Sequence, residues 1–296
     1  MLRARPSIGS MKGERVPALV EVEVIKRDLE KEVVGRRIKE VEITSSRNAM
    51  KIIPRHGRRK EFQALLEQAK FESVDRTGMK ILLALDNGNT MVIDLGETGQ
   101  LIKTSASDPL ETHTHVVIGF TIGGQLRLLD PKATSEIYVA SNDEVAALPE
   151  LKKHAIDPLE QQVTWHHFSG LLEEREQPMK DLLMDEDFIV GLGDLYSDEI
   201  LWTSALRYDR PSNELSSQDV RRLYRALIET LQEALKARGT TWGSVNFRDL
   251  HGDPGQFQLE LKVYEREGEA CRRCRTPIVK EPYRDGFTYL CPQCQS

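Results

Sequence analysis

Four cysteines close the chain, Cys271, Cys274, Cys291 and Cys294, spaced as C-x2-C, sixteen residues, C-x2-C. Each pair can turn two thiolates towards one tetrahedral zinc ion while the intervening segment forms a hairpin. Two disulfides are the competing reading, disfavoured in a cytoplasmic chain. Four protein ligands leave no open coordination position, so the one zinc expected here is structural and not catalytic. A second stretch with chemical potential runs from Pro178 to Trp202. Pro178 suits the first turn of a helix, Gly191 and Gly193 break the chain, and Asp194 can cap a second helix that buries Leu195, Ile200 and Leu201. Two helices joined by a glycine turn form a unit that often touches DNA. The histidines carry less. His113 and His115 alternate along a strand, which suits structural hydrogen bonding, and the neighbours His166 and His167 cannot both face one metal from a helix.

Composition sets the bounds. A chain of 296 residues holds two or three domains. A net charge of -6 weighs against strong duplex binding, which draws on neutralised phosphates, although a local basic patch remains compatible with it. No run approaches the roughly 18 apolar residues of a membrane span, and Met1 to Pro6 lacks a signal-peptide core. A cytoplasmic monomer without membrane association is expected.

Several elements position these residues. Residues 1–16 are expected to form a flexible extension. Val22, Ile25, Leu29 and Val33 mark one helix face, ended near Gly35. Short β-rich runs follow at 38–44, 80–85, 90–95, 115–122 and 125–129, with turns at Asp86-Asn87-Gly88-Asn89 and Gly123-Gly124. They imply an antiparallel sandwich over 17–140, joined by a polar linker (141–153) to a helical domain (154–240). There Ser216 and Asp219 form a capping box for a helix burying Val220, Leu223, Leu227, Leu231 and Leu235. The remainder, 241–296, is loop plus zinc finger. Gly239 to Gly255 is a long loop, and 257–264 reads as a strand leading into the finger. The fold class is α+β and multidomain.

In this order, the motifs resemble the formamidopyrimidine-DNA glycosylase and endonuclease VIII family. The resemblance rests on Val22-Glu23, Leu95-Gly96 with Thr98-Gly99-Gln100-Leu101, His113-Thr114-His115-Val116-Val117 and Asp130-Pro131. It continues through Lys180 with Leu182-Leu183, Gly191-Leu192-Gly193 with Tyr196 and Asp198-Glu199, Val263-Tyr264, and Cys291-Pro292-Gln293-Cys294-Gln295. It implies a β-sandwich with a leading helix, a helix-two-turn-helix domain and a zinc-finger hairpin. Double-stranded DNA, damaged or distorted, is the implied partner in the cleft. Lys180 falls at a family phosphate contact, with a surface helix lysine as the competing reading. Asp194, Tyr196 and Arg284 complete the DNA-binding candidates.

The family's catalytic positions are altered. Its pattern opens Pro-Glu-Leu-Pro-Glu-Val, with the proline amine as nucleophile; here it reads Pro17-Ala18-Leu19-Val20-Glu21-Val22. An internal Pro17 nitrogen is a tertiary amide that cannot form an imine. Ala18 replaces the proton-transfer glutamate. Met79 stands at the hairpin lysine, with Lys80 one residue on and, by strand alternation, facing solvent. Glu97, Ala133 and Thr134 replace the methionine, arginine and phenylalanine that fill the gap left by an everted nucleotide. Gly286 stands at the finger's arginine, leaving Arg284 two residues earlier. The expectation is a family member that binds DNA without proline-based chemistry. The rivals are an active formamidopyrimidine-type glycosylase or abasic-site lyase using another amine, such as Lys80, and a zinc-stabilised interaction module that no longer binds DNA.

Overall fold

The computed structural model describes residues 17–45, 48–151, 156–160, 163–242 and 247–296. The expected flexible extension, the end of the linker and residues 243–246 of the long loop lie outside the described residues. Helix α1 (Leu19–Val33) leads, followed by β1 (Ile38–Ile43), α2 (Ala49–Ile52), α3 (Arg59–Leu66) and β2 (Phe71–Thr77). Next come β3 (Lys80–Leu85), β4 (Asn89–Asp94), β5 (Gln100–Thr104), β6 (Thr114–Phe120), β7 (Gln125–Leu129) and β8 (Glu136–Ser141). The strands form two four-stranded sheets, ordered β1-β6-β7-β5 and β2-β3-β4-β8. All their pairings are antiparallel, and alternate residues such as Ile81 and Leu83 enter the core between the sheets.

The second half is helical. It comprises α4 (Asn142–Ala147), α5 (Trp165–Glu173), α6 (Met179–Leu183), α7 (Gly193–Ser204) and α8 (Ser217–Lys236), then the hairpin β9 (Val279–Tyr283) and β10 (Gly286–Leu290). The Ser216–Asp219 capping box opens α8 as expected. The expected linker carries α4, opened by its own Ser141–Glu144 capping box. Two expectations are corrected. Residues 257–264 make no strand: a 3-10 turn spans Phe257–Leu259, and the amides of Lys262, Val263 and Tyr264 all donate to the Glu199 carboxylate. Asp194 is not the cap of α7, which starts at Gly193 after Leu192. Among the described residues no helix is long and apolar enough to cross a membrane.

Helix α1 serves two cores. Val22, Ile25, Leu29 and Val33 pack into the sandwich, whereas Val20 packs with α5 to α8 and the finger. A buried charge cluster reinforces this junction. Arg76 of β2 donates to Glu23 of α1 at 2.8 Å and, with two nitrogens, to Asp157 at 2.5 and 3.0 Å. All three side chains are less than a tenth exposed. Removing one partner strands a buried charge, which costs about 3–5 kcal/mol. Asp157→Ala should therefore lower unfolding free energy by that order, read from urea denaturation.

Candidate nucleic-acid interface and metal centre

The start of α1 is where the sandwich, the glycine turn and the long loop converge. The Leu19 N–H donates to the Gly191 carbonyl at 2.8 Å. Gly191 has φ +58°, a conformation that favours glycine, and a Cβ there would lie 2.3 Å from the Met79 sulfur and displace it. Met79, at the β2–β3 hairpin tip, thus packs beside the first turn of α1. Lys80 starts β3 and is tied to Asp94 at 2.6 Å, its side chain 18% exposed, so the expected solvent-facing lysine is instead a paired one.

In the first turn of α1, Glu21 is buried at the position of the second glutamate of the family's opening pattern, a match that points to it as a site residue. Its carboxylate accepts from the Tyr196 hydroxyl at 2.7 Å, the Thr240 N–H at 2.8 Å and the Ala18 N–H at 3.1 Å. Burial raises the Glu21 carboxyl above its ordinary value, and these donors oppose the rise. Burial and the Glu21 charge push the Tyr196 phenol well up, so it stays protonated as the donor. Tyr196, expected among DNA contacts, is 1% exposed and serves this internal bond instead.

The loops carrying Glu97 and Ala133-Thr134 lie side by side. The Glu97 N–H donates to the Thr134 hydroxyl at 2.9 Å, and a Cβ on Gly96 would meet the Thr134 backbone at 2.6 Å. Asp130, fully buried, shapes the turn by accepting from the Ser135 amide at 2.7 Å and hydroxyl at 2.8 Å. Glu97 and Thr134 therefore share one surface, with Glu97 3.7 Å from Lys132.

At the glycine turn the charges close on one another. Lys180 of α6 is fully buried, which overturns the surface-lysine reading. Its ammonium lies 2.8 Å from Asp198 and 3.1 Å from Asp194, over the Tyr283 ring. Asp198 also accepts from the Thr288 hydroxyl at 2.6 Å and the Tyr289 N–H at 2.9 Å; burial pushes its carboxyl up to about 6 despite Lys180. Arg284, with φ +48° at the hairpin turn, is more than half exposed and pairs with Asp181 at 2.5 Å. Of the four DNA-binding candidates, Asp194 and Arg284 reach solvent, whereas Lys180 and Tyr196 do not.

The cysteines meet as their spacing requires. Their sulfurs all lie within 4.8 Å of one another. Cys271 and Cys294 are 3.9 Å apart and Cys274 and Cys291 3.4 Å, beyond a disulfide bond of about 2.05 Å. A tetrahedron with metal–sulfur bonds of about 2.3 Å has edges of about 3.8 Å, so the four thiols fit a single metal ion. Tyr196→Phe should cost about 1–3 kcal/mol by taking a donor from buried Glu21, measured by chemical denaturation against wild type.

The wider likeness agrees with this geometry. The pattern of the formamidopyrimidine-DNA glycosylase N-terminal domain matches residues 16–137, and that of the glycosylase H2TH domain residues 154–245. The formamidopyrimidine-DNA glycosylase of Herpetosiphon aurantiacus is 34% identical over 281 residues, 95% of this chain and all of the relative. That of Pelotomaculum thermopropionicum is 34% identical over 280 residues, 95% of this chain and 99% of the relative. Among solved structures, Lactococcus lactis Fpg in complex with abasic-site DNA is 27% identical, with a TM-score of 0.82 and 94% and 99% of the two chains covered. The MutM (Fpg) protein of Thermus thermophilus is 32% identical, with a TM-score of 0.78 over 94% and 98%. The chain belongs to the formamidopyrimidine-DNA glycosylase family.

Proposed function

We propose that this protein binds duplex DNA bearing an abasic or otherwise distorted site, without the proline-amine chemistry that the family resemblance implies, on a finger held by one Zn2+. The observation that carries the second half is Met79. Its thioether packs against Gly191 beside the Leu19 amide, where the resemblance places the hairpin amine. A thioether moves no proton, so it cannot take that lysine's part in the chemistry. Ala18 offers no carboxylate, Lys80 is engaged by Asp94, and the Lys180 ammonium is enclosed by two carboxylates. Support for DNA as the partner comes from the likeness to a protein solved with abasic-site DNA, together with the helix start and hairpin tip grouped around Asp194 and Arg284. The bound zinc would fold the finger and supply no reacting group, since four thiolates fill its coordination.

The names of the relatives favour a second reading, an active glycosylase or abasic-site lyase. Anisotropy titrations and strand-nicking assays on intact and abasic-analogue duplexes separate the two. The expected outcome is salt-dependent binding with preference for the abasic analogue and no nicking of a true abasic strand. Enzyme-dependent nicking would favour the second reading, and no binding at low salt would remove DNA as the partner.

Asp194 limits the affinity. It places an anion at the start of α7, where the helix dipole would otherwise favour a phosphate, and it occupies Lys180. Asn is nearly isosteric with Asp, so Asp194→Asn removes the charge and its ion pair while Asp198 still pairs the Lys180 ammonium. It should tighten duplex binding several-fold and steepen the salt dependence by about 0.9 in logarithmic slope for one added phosphate contact. Unchanged affinity and slope would mean that no phosphate docks there.

A further inference from the structure

We propose that His56 is a proton-operated latch on the free edge of β8: the neutral ring caps the Val139 N–H, and the protonated ring releases it. Strand β8 ends its sheet and pairs only with β4, so alternate N–H groups along it point away from the ladder. The Val139 N–H is one of these, and it donates to His56 Nε2 at 3.0 Å. A ring nitrogen that accepts carries its lone pair, so the proton of the neutral imidazole sits on Nδ1. Protonation fills Nε2 and sets one donor against another, and the contact breaks. Strand β8 runs directly into Ser141, the cap of α4, so the latch closes the last strand before the helical half. Its release bares an edge N–H of the kind that invites pairing by another strand.

The surroundings oppose a charged ring. His56 is 5% exposed, its Nδ1 is buried without a hydrogen-bond partner among the described residues, and the Phe62 ring of α3 packs edge-on at 5.2 Å. The turn after α2 brings Ile53, whose carbonyl accepts the His56 N–H at 3.1 Å. Glu61 of α3 accepts from the Gly57 N–H at 3.1 Å, and its charge favours a proton on the ring. Arg55, the preceding residue, is taken up by Glu136 of β8 at 2.6 Å and Glu150 at 2.8 Å, over the Tyr138 ring. Lys51, Arg58 and Lys60 are exposed to water, and Arg59 partly so. Burial outweighs Glu61 and holds the imidazole below its ordinary value. With the folded value below the unfolded one, acid favours the open state. The latch is complete above the ordinary value of about 6.5 and weakens as pH falls from there towards the lowered folded value.

Nuclear magnetic resonance on the full chain tests the latch. At about pH 7.5 the His56 ring should show the Nδ1–H tautomer, and an Nε2–H tautomer or a charged ring would overturn the proposal. Between about pH 6.5 and 5.5 the hydrogen-exchange protection of the Val139 amide should fall about three- to fivefold relative to that of Leu126 in the other sheet, as one proton taken up on opening requires. A ratio that does not move with pH overturns the proposal. His56→Gln offers an amide oxygen near the Nε2 position but does not titrate, so its ratio should stay level over the same range. A fall equal to that of the wild type would assign the effect to another group and overturn the proposal. Should the variant not fold, the wild-type tautomer and the wild-type exchange ratio still decide.

Discussion

Two adjacent buried carboxylates on α7, Asp198 and Glu199, hold the second half of the molecule together. Consecutive helical residues point about 100° apart, so the pair reaches two different neighbours. Asp198 takes Lys180 of α6 and the Thr288 and Tyr289 donors of the finger hairpin. Glu199 takes three successive amides from Lys262 to Tyr264; burial pushes its carboxyl up to about 7, and those amides oppose the rise. Each charge would be costly to bury alone. Together with Tyr196, which reaches Glu21, they make α7 the member on which helix pair, finger and α1 all bear.

This arrangement makes the scaffold independent of the residues at the family's catalytic positions. The contacts that orient α7 involve Lys180, Asp198, Glu199 and the finger backbone, none of which depends on what stands at positions 17, 18 or 79. Met79 and Gly191 show the converse. The contact that joins the hairpin tip to the glycine turn is apolar, so a thioether fills that space with no polar group left unsatisfied. The surface formed by Glu97 and Thr134 likewise takes its loop geometry from Asp130.

Much of the fold was legible because its signals are local. The two C-x2-C pairs, the Ser216–Asp219 box and the turns at Gly88 and Gly123 are each read within a few residues, and the structure contains all of them. Strands β2, β5 and β8 went unseen, since Glu72, Asp75 and Arg76 break the apolar pattern of β2 and neither β5 nor β8 carries a flanking hairpin signal. The expected strand after Phe257 failed because its amides are claimed by Glu199, more than 60 residues earlier in the chain. Buried charges were the least legible. Arg76 finds Asp157 at a separation of 81 residues and Lys180 finds the Phe287 carbonyl at 107, distances over which no local pattern reports. The candidate interface shared that fate: the resemblance located Lys180 and Tyr196, but only the packing shows that both are turned inward.

The central claim is that the family scaffold remains without an amine placed to form an imine. Borohydride trapping of the full chain on a duplex containing a natural abasic site tests it most directly, with mass analysis of any product. The account predicts binding without a covalent protein–DNA adduct. An adduct mapped to Pro17, Lys80 or any other amine of this chain would contradict it.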